Sequence, residues 1–407
     1  MKILLTAFAF EPCETSEPGA AWRFAELAAA EHDVWVLTGG FPGPVQRTRD
    51  FLETHPDLRI KAIPFWPRGF PRRAGWSFIN VHYWMWQKQL AGIAADLHAQ
   101  VGFDLIHHVT LSRYWVGSSV SKLPIPLIWG PVGSGGNTPP SFAAELPWSA
   151  WFPNKARELS ANICRRDRML RDTLKKASIC FATNEDTSRR LIEDGAARVE
   201  LLPQICFSEG RLKELASLPA PPDVASLHIL SIGRLVYWKG FQYGIRATAQ
   251  LKERGISFEY RIAGWGPYEA TLKKLVSSLG LEDSVKLVGR KTNDEVIHEE
   301  MKWAHVLVHP ALHESFGNVC LEALAAGRPV VCLDLGGPAT QVTTDCGFAV
   351  SAESPHLAVT EIAGALEALS SKKDLYQNMA NAAKIRARAN FHRDRLAAAI
   401  LDAYASL

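Results

Sequence analysis

The fold is most clearly indicated by residues 309–329, which read HPALHESFGNVCLEALAAGRP. The flanking runs His305–Val308 and Val330–Leu333 are short and mostly apolar, which is typical of buried parallel strands. Between them the pattern predicts a short helix over Asn318–Ala326 that ends at Gly327. A strand that passes through a turn into a helix is the repeating unit of an open α/β sheet, where ligands bind at the carboxyl ends of the strands.

The turn at the start of this helix has the features of a phosphate site. Free backbone N–H groups and the positive end of the helix dipole favour an anion, and Gly317 lets the backbone come close. Glu314 in the turn and Glu322 in the helix are unsuited to binding an anion themselves, but both can accept hydrogen bonds from ribose or sugar hydroxyls. Two solvated surface glutamates would give the same pattern, so this stretch alone leaves both interpretations open.

Two further turns follow strands of the same series. Residues 233–240 read GRLVYWKG, in which Arg234 supplies a forked donor and Lys239 a point cation, a pair suited to a pyrophosphate or to a surface ion pair. Residues 263–267 read AGWGP, a tight glycine turn that is weak evidence alone. Three such turns at strand ends of one sheet favour a nucleotide site.

Strands and helices alternate through most of the chain, which predicts parallel sheets covered by helices. The predicted strands are Lys2–Thr6, Asp33–Leu37, Leu58–Ile63, Leu105–Val109, Ile125–Trp129, Ser178–Ala182, Val199–Leu202, Leu227–Ile232, Phe258–Ile262, Val285–Leu287, His305–Val308, Val330–Leu333 and Phe348–Val350. A proline-rich break at 218–222 interrupts the series. We therefore predict a first domain over 1–207, a linker over 208–226 and a second domain over 227–392.

Composition narrows the class of protein. The 407 residues are 47% hydrophobic and carry a net charge of only +3, so nothing indicates a nucleic-acid partner. The seven cysteines lack metal-ligand spacing, and we expect them to be reduced thiols of a cytoplasmic protein. The apolar start is interpreted as a first strand and not as a signal peptide, and no run is long enough to span a membrane.

The motifs G-R-L-x-x-x-K-G, G-x-G-P, E-x-F-G and E-x₇-E, in this order, resemble glycosyltransferase family 4, a family of retaining enzymes of the GT-B type. The resemblance implies an α/β fold with two Rossmann-like domains facing a central cleft. It implies a nucleoside-diphosphate sugar donor, such as a UDP- or GDP-sugar, without a further cofactor or metal. It also implies that the last helix, 393–407, crosses back to pack on the first domain.

The resemblance assigns roles to the donor-side residues. Arg234 and Lys239 would bind the pyrophosphate, Glu314 the sugar hydroxyls and Glu322 the ribose, while the backbone near Arg290 would meet the base. The other implied donor-binding positions lie in the turns already quoted: Gly233, Gly264, Phe316, Gly317, Asn318 and Val319.

The first domain would supply the acceptor side. Gly19 matches the glycine turn that faces the donor, and DLIHH at 104–108 resembles a D-x-x-H-x-H motif whose histidine contacts the donor sugar. The register differs, so the choice between His107 and His108 stays open, and one of them is expected to be packed at the strand end. The family's G-G-x-x-E lacks its acid at 336–340, and its histidine after the next strand is absent at 129–136, which leaves the sugar and acceptor undetermined.

The predicted reaction is metal-independent, retaining hexosyl transfer to a hydroxyl of a glycan, a glycolipid or a small acceptor. In the family pattern the displacement occurs on the front face, and the leaving pyrophosphate, stabilised by cations, accepts the proton. Two alternatives remain: another GT-B enzyme, such as a phosphorylase or an epimerase, and a catalytically silent protein that binds nucleotide sugars.

The first domain also predicts contact with an anionic membrane surface. No acidic residue occurs between Asp57 and Asp96, whereas cations and aromatic residues alternate there. The stripe from Ile79 to Leu97 is expected to be helical core, but the loop 65–76 and the mixture that begins at Trp148 are not. The alternative is a solvated basic face beside an aromatic acceptor pocket. The cations and aromatic residues concerned are Arg59, Lys61, Phe65, Trp66, Arg68, Phe70, Arg72, Arg73, Trp76, Phe78, Trp84, Trp86 and Lys88 in the first region, and Trp148, Trp151, Phe152, Lys155, Arg157, Arg165, Arg166, Arg168 and Arg171 in the second.

Overall fold

The structure is a computed structural model that describes the 407-residue chain except residues 14–16, 72–77, 110, 112, 220 and 222–225 and the side chains of 149, 294 and 297. Internal contacts divide the chain into two units. The first comprises Met1–Gly135, Leu159–Ile205 and Asp394–Leu407, and the second comprises Gly136–Glu158 and Cys206–Arg393.

The strands of the described chain form two parallel sheets. They are β1 Lys2–Ala7, β2 Asp33–Gly39, β3 Ile60–Phe65, β4 Leu105–His108, β5 Leu127–Val132, β6 Ala177–Ala182, β7 Val199–Leu201, β8 Leu227–Ile232, β9 Phe258–Ala263, β10 Val285–Gly289, β11 Val306–His309, β12 Val330–Leu333 and β13 Gly347–Val350. The first sheet has the order β3-β2-β1-β4-β5-β6-β7 and the second the order β10-β9-β8-β11-β12-β13. In each sheet the order in which strands are added therefore reverses beside the first strand, between β1 and β4 and between β8 and β11, which is the Rossmann pattern.

Helices connect the strands. They are α1 Glu17–Ala29, α2 Pro42–Thr54, α3 Ile79–Val101, α4 Pro140–Ala143, α5 Trp148–Cys164, α6 Arg168–Lys176, α7 Glu185–Glu193, α8 Glu209–Ala216, α9 Phe241–Glu253, α10 Glu269–Ser278, α11 Asn293–Glu295, α12 Asn318–Ala325, α13 Gly336–Gln341, α14 Pro355–Ser371, α15 Lys373–Phe391 and α16 Arg393–Ala405. Short 3₁₀ turns lie at Ser119–Lys122 and Tyr237–Lys239, and a π-helical turn at Val296–Met301 follows α11. Within the described residues, no helix is long and apolar enough to cross a membrane.

The buried face of α3 confirms the predicted core stripe. Tyr83, Trp86 and Leu90 are at most 4% exposed, and they pack into the core of the first unit with Ile93 and Leu97 at its edge. Burial of such large side chains contributes most of the favourable free energy of folding in this region, at about 2 kcal/mol for each.

The prediction that residues 65–76 do not pack in the core is wrong for the residues of this loop that the structure describes. Phe70 is buried, and Trp66 is partly buried against the same core. Both rings lie against the imidazole of His82, with ring centroids 4.6 and 4.2 Å away. Among the residues that the structure describes, His82 is completely buried and neither ring nitrogen has a hydrogen-bond partner, so the aromatic rings enclose a neutral imidazole. Arg72, Arg73 and Trp76 lie outside the described residues.

The second unit includes a segment that the predicted domain boundary assigned to the first domain. Residues 136–158 pack with the second unit, where the ring of Phe142 lies 5.1 Å from that of Tyr243. Ser141 Oγ donates to the carbonyl of Glu353 at 2.7 Å. Part of the predicted linker is also ordered, since Glu209–Ala216 forms α8.

Candidate active site in the second unit

Three predicted turns lie side by side at the carboxyl ends of the second sheet. The N–H of Leu312, after β11, donates to the carbonyl of Trp238 at 2.7 Å, in the turn after β8. The N–H of Leu235 donates to the carbonyl of Trp265 at 2.8 Å, which ties the turn after β9 to the same group. Because β8 and β11 are the neighbouring strands at which the sheet order reverses, these turns occupy the position where doubly wound sheets bind ligands.

Lys239 and Glu314 meet at this position. Lys239 Nζ donates to Glu314 Oε2, and the same oxygen lies 3.2 Å from Nε2 of His309. Lys239 and Glu314 are each 19% exposed, whereas His309, the last residue of β11, is inaccessible. Lys239 and Glu314 therefore form one partly buried ion pair, and the buried imidazole of His309 contacts its carboxylate.

The ion pair fixes the charge of Glu314. Burial alone would raise its pKa, but the nearby Lys239 ammonium and the hydrogen bond from His309 outweigh burial and lower the pKa to about 2. Burial lowers the pKa of His309, and the charge of Lys239 acts in the same direction. At neutral pH Glu314 is thus a carboxylate that accepts hydrogen bonds and cannot donate a proton.

The helix that follows Glu314 begins without a side-chain cap in the described structure. Gly317 adopts a left-handed conformation, with φ of 86°, immediately before Asn318 and Val319, the first residues of α12. The N–H of Cys320 already donates to the carbonyl of Gly317 at 2.9 Å. The N–H groups of the two residues before it point along the helix axis and can donate to an anion.

The loop after β12 holds the turn that carries Glu314. The N–H of Gly337 donates to the carbonyl of Glu314 at 3.0 Å, and Gln341 Nε2 donates to the carbonyl of Phe316 at 2.5 Å. A Cβ atom on Gly337 would lie 2.2 Å from that Phe316 oxygen, so any side chain there would displace the turn. Phe316 itself is 4% exposed and packs on Phe391, so its ring helps to fix the turn, and its role in donor binding stays a prediction.

Glu322 lies on α12 in a different electrostatic environment. Of the cations that the structure describes, the nearest is Arg211 of α8, whose Nη2 lies 3.9 Å from Glu322 Oε1. Burial raises the pKa of Glu322 to about 7, and the distant Arg211 only partly opposes that effect. Arg211 was not predicted, because α8 falls in a stretch that the proline-rich sequence marked as linker.

Two exposed arginines flank Trp265 at the same edge of the sheet. The guanidinium carbon of Arg234 lies 5.8 Å from the ring centroid of Trp265, and that of Arg290 lies 5.5 Å from it. Trp265 is 50% exposed, and both arginines are exposed as well, so this cluster of two cations and an aromatic ring is accessible to solvent. The residues predicted for pyrophosphate and base contact therefore converge on one aromatic side chain that the sequence analysis did not single out.

Gly264 is required by a close approach of two turns. A Cβ atom there would lie 1.9 Å from the carbonyl oxygen of Gly233, the first residue of the neighbouring turn. The N–H of Gly264 also donates to the carbonyl of Gly289 at 2.8 Å, at the end of β10. The glycine predicted from a weak motif thus allows the ends of three strands to come together.

A polar network next to Glu314 was also missed. His313 Nε2 lies 3.1 Å from Asn154 Oδ1 and is hydrogen-bonded to Thr138 Oγ1, and Arg157 Nη2 lies 3.2 Å from the same nitrogen. Burial and the charge of Arg157 lower the pKa of His313 to about 3. The partners of this neutral histidine belong to residues 136–158, about 160 positions earlier in the chain.

His107 is enclosed in the first unit. Its Nε2 donates to the carbonyl of Gly130 at 2.9 Å, and its Nδ1 lies 2.8 Å from the hydroxyl of Tyr404 on α16. Because a carbonyl can only accept, His107 is the neutral Nε2–H tautomer, and burial lowers its pKa to about 4.

His108 faces the opposite side of β4. Its Nδ1 lies 2.6 Å from Thr6 Oγ1, and its Nε2 lies 3.2 Å from the amide of Gln87. Burial lowers its pKa to about 3. Both histidines are inaccessible in the described structure, which argues against the predicted contact of either with a sugar; that contact stays a prediction.

Gly19 also belongs to the first unit. It lies in the first turn of α1, where a Cβ atom would lie 2.2 Å from the carbonyl oxygen of Cys13. This close approach accounts for the glycine without a ligand, and its predicted role in donor binding is untested. Among the residues that the structure describes, no group of three histidine, cysteine, aspartate or glutamate side chains is arranged to hold a metal ion.

The sheet order and the grouped turns define the second unit as a doubly wound nucleotide-binding type of domain. Residues 221–386 match the sequence model of the protein family described as "Glycosyl transferases group 1". The predicted resemblance to this family is thereby confirmed for these residues of the second unit.

Relatives with known names share parts of the chain. It is 33% identical over 225 residues to the alpha-D-kanosaminyltransferase of Streptomyces kanamyceticus, a match that covers 52% of this chain and 56% of the relative. It is 39% identical over 117 residues to the amylovoran biosynthesis glycosyltransferase AmsK of Erwinia amylovora, covering 27% of this chain and 28% of the relative. The matches thus span between a little over a quarter and a little over half of these relatives' lengths.

The fold extends over the whole chain. A solved structure of Anabaena Alr3699/HepE in complex with UDP superposes with a TM-score of 0.65, covers 100% of both chains and shares 18% sequence identity. At that identity the likeness shows the fold, which is the predicted GT-B type with two Rossmann-like domains.

Proposed function

We propose that the protein is a retaining glycosyltransferase that moves a hexosyl group from a nucleoside-diphosphate sugar to a hydroxyl of a cell-surface glycan or glycolipid. The observation that carries the proposal is the pairing of Lys239 with Glu314 beside the uncapped start of α12, at the reversal point of the second sheet. One cation, one ionised carboxylate and free backbone N–H groups are then available together for a sugar diphosphate.

The proposed chemistry uses these groups without a protein nucleophile. Lys239, Arg234 and the start of α12 stabilise negative charge on the leaving diphosphate as the bond between the anomeric carbon and the phosphate oxygen breaks. The acceptor oxygen bonds to the anomeric carbon on the same face, and its proton passes to the departing phosphate oxygen. Glu314 accepts hydrogen bonds from donor-sugar hydroxyls, in keeping with its low pKa.

The names of the relatives guide the choice of substrates. The UDP complex of HepE favours uridine nucleotides as the first donors to test. The amylovoran assignment of AmsK and the kanosaminyl transfer of the Streptomyces enzyme favour a growing polysaccharide or another hydroxyl acceptor. We also propose a cytoplasmic location, in keeping with seven cysteines that lack metal-ligand spacing in the sequence.

A panel of UDP- and GDP-sugars tests the proposal. A true donor raises Tm more than the matching nucleotide does, and it is slowly hydrolysed with release of the diphosphate. With an acceptor found by the same release assay, NMR of the product gives its anomeric configuration. We expect the donor's configuration and full activity in excess chelator; loss of activity on chelation, restored by magnesium or manganese, contradicts the leaving-group chemistry.

The same experiment separates the two alternatives. A silent binding protein shows the Tm shift without any hydrolysis or transfer. A phosphorylase requires inorganic phosphate as a substrate, and an epimerase converts the donor without releasing nucleotide. An inverted product rejects retention but leaves the donor site intact.

A further inference from the structure

The first two turns of α3 expose large apolar side chains, although the helix also buries an apolar face. Phe78, just before the helix, is 58% exposed, and Val81 and Trp84 are 49% and 52% exposed. Tyr83 and Trp86, on the opposite face, are at most 4% exposed. We call Phe78, Val81 and Trp84 the α3 patch. A contiguous apolar patch on a protein surface marks an interaction site more often than chance exposure does.

The charged residues that neighbour the α3 patch in the sequence are all basic. Lys88, one turn further along the helix, places its Nζ 3.5 Å from the ring centroid of Trp84. Exposed Arg68 is tied to the same helix, because its N–H donates to Gln89 Oε1 at 3.0 Å and its carbonyl accepts from Gln89 Nε2 at 3.1 Å. No acidic residue occurs between Asp57 and Asp96.

The part of α5 that belongs to the first unit repeats this combination. Leu159 and Ile163 lie four residues apart, on one face of the helix, and are 62% and 61% exposed. The cations Arg165, Arg166, Arg168 and Arg171 follow at once. Arg165 pairs with Asp194 and Arg168 with Asp172, so this region carries less net positive charge than the region around α3.

One loop joins the two helices. Arg113 Nη1 donates to Asn80 Oδ1 at the start of α3. The hydroxyl of the adjacent residue, Tyr114, accepts a hydrogen bond from Arg190 Nε. Arg190 Nη2 donates to Asn162 Oδ1 in α5 at 3.4 Å. Asn80 precedes Val81, and Asn162 precedes Ile163, so both apolar groups lie next to this loop on the first unit.

We propose that the α3 patch, together with Leu159 and Ile163, docks the first unit onto an anionic lipid surface. Aromatic rings are favoured at the level of the lipid headgroups, and a lysine over an indole can keep its charge in that layer while the ring inserts. Each basic residue near an anionic leaflet strengthens binding about fivefold. In the α3 region, the absence of carboxylates from 58–95 removes a repulsion that an anionic surface would otherwise impose. The proposal does not depend on transferase activity.

Vesicle sedimentation tests the proposal with the whole chain. We expect binding to vesicles of phosphatidylcholine mixed with phosphatidylglycerol at low salt, and little binding to pure phosphatidylcholine. Raising the salt to about 1 M, where the Debye length is ~3 Å, should weaken binding at least about tenfold. Failure to bind the anionic vesicles at low salt overturns the proposal.

Two variants assign the binding to this surface. Val81→Ser with Trp84→Ser should lower the partition coefficient roughly tenfold or more, and Lys88→Glu about thirtyfold for two charge units. The matched controls are Ile385→Ser, at a 68% exposed apolar position of α15, and Lys274→Glu, at an exposed position of α10. Equal loss in variants and controls overturns the assignment. The assignment is also overturned if the protein self-associates without lipid and the Val81/Trp84 variant abolishes that association, because the surface is then an interface between copies of the chain.

Discussion

Lys239 donates a hydrogen bond to Glu314 Oε2, and the imidazole of His309 lies 3.2 Å from that same oxygen. A single carboxylate oxygen therefore has two partners before any ligand arrives. The hydrogen bond to Glu314 restricts the Lys239 side chain and keeps its positive charge at the point where the strand order of the second sheet reverses.

Removing either proposed diphosphate cation should abolish most turnover. We expect Lys239→Ala and Arg234→Ala each to lower kcat by about 10²–10³, the loss of roughly 2–4 kcal/mol of transition-state stabilisation. Diphosphate release measures the effect, and Lys274→Ala, at an exposed position of α10, is the control for a lost surface charge. A wild-type kcat in either variant would refute the assignment of that cation.

The two glutamates should fail in different ways. Glu322→Ala is expected to weaken binding of the bare nucleoside diphosphate about tenfold or more, because one hydrogen-bond acceptor for the ribose is lost. Glu314→Ala should spare the nucleotide and weaken binding of the intact sugar donor. Calorimetry with both ligands compares the variants, and the reverse pattern would exchange the two roles.

Nucleotide binding should depend on pH through Glu322. Burial raises its pKa to about 7, and only the ionised carboxylate is a full acceptor for ribose hydroxyls. Affinity should therefore rise as pH increases from about 6 to 8. Glu322→Gln should bind more weakly with little pH dependence in that window. Calorimetric titrations across the range provide the check, and an unchanged pH profile in the variant would show that another group titrates.

His309 should act as a positioning residue. His309→Phe fills similar volume but removes the hydrogen bond to Glu314, so kcat should fall about tenfold while bare nucleotide binding is kept. His309→Gln should recover part of the activity, because the amide can donate to the carboxylate. A purely structural role would instead lower the Tm of both variants and leave the activity of the folded fraction unchanged.

Acid should destabilise the first unit through its enclosed imidazoles. Burial lowers the pKa of His82 to about 4, against 6.5 for the free side chain. Between these pH values the unfolded chain binds more protons than the folded one. The contribution of neutral His82 to the free energy of unfolding is therefore fully present above pH ~6.5 and is lost as the pH falls toward 4. His82→Phe should keep more stability at pH ~5, by on the order of 1–2 kcal/mol, in urea unfolding at pH ~5 and ~7.5. Equal pH dependence in the variant would exclude His82 as the cause.

Much of the fold was predictable because parallel strands buried on both faces have nearly continuous apolar sequences. All thirteen predicted strands correspond to strands of the structure, with ends that differ by a few residues. The turns that carry Lys239, Glu314 and Gly317 were also predictable, since charged residues and glycines directly after such strands have few structural uses.

Other features depend on contacts that a local pattern does not reveal. The proline-rich break concealed α8 and with it Arg211, because prolines mark a linker whether or not a helix precedes them. The aromatic residues Trp66 and Phe70 resembled a surface loop, yet they pack on His82, which is 12 or more residues away. Burial of both histidines of the D-x-x-H-H stretch follows from α3, β5 and α16, all distant in sequence.

The hydrogen bond between His107 and Tyr404 has a consequence for biosynthesis. Tyr404 belongs to residues 394–407, which complete the first unit but leave the ribosome only after the whole second unit has been made. Residues 136–158, in turn, wait for more than 150 later residues before His313 can join them. During translation each unit therefore stays incomplete until these later residues are made, and a chaperone that shelters the apolar surface around His107 would have its greatest effect in that interval.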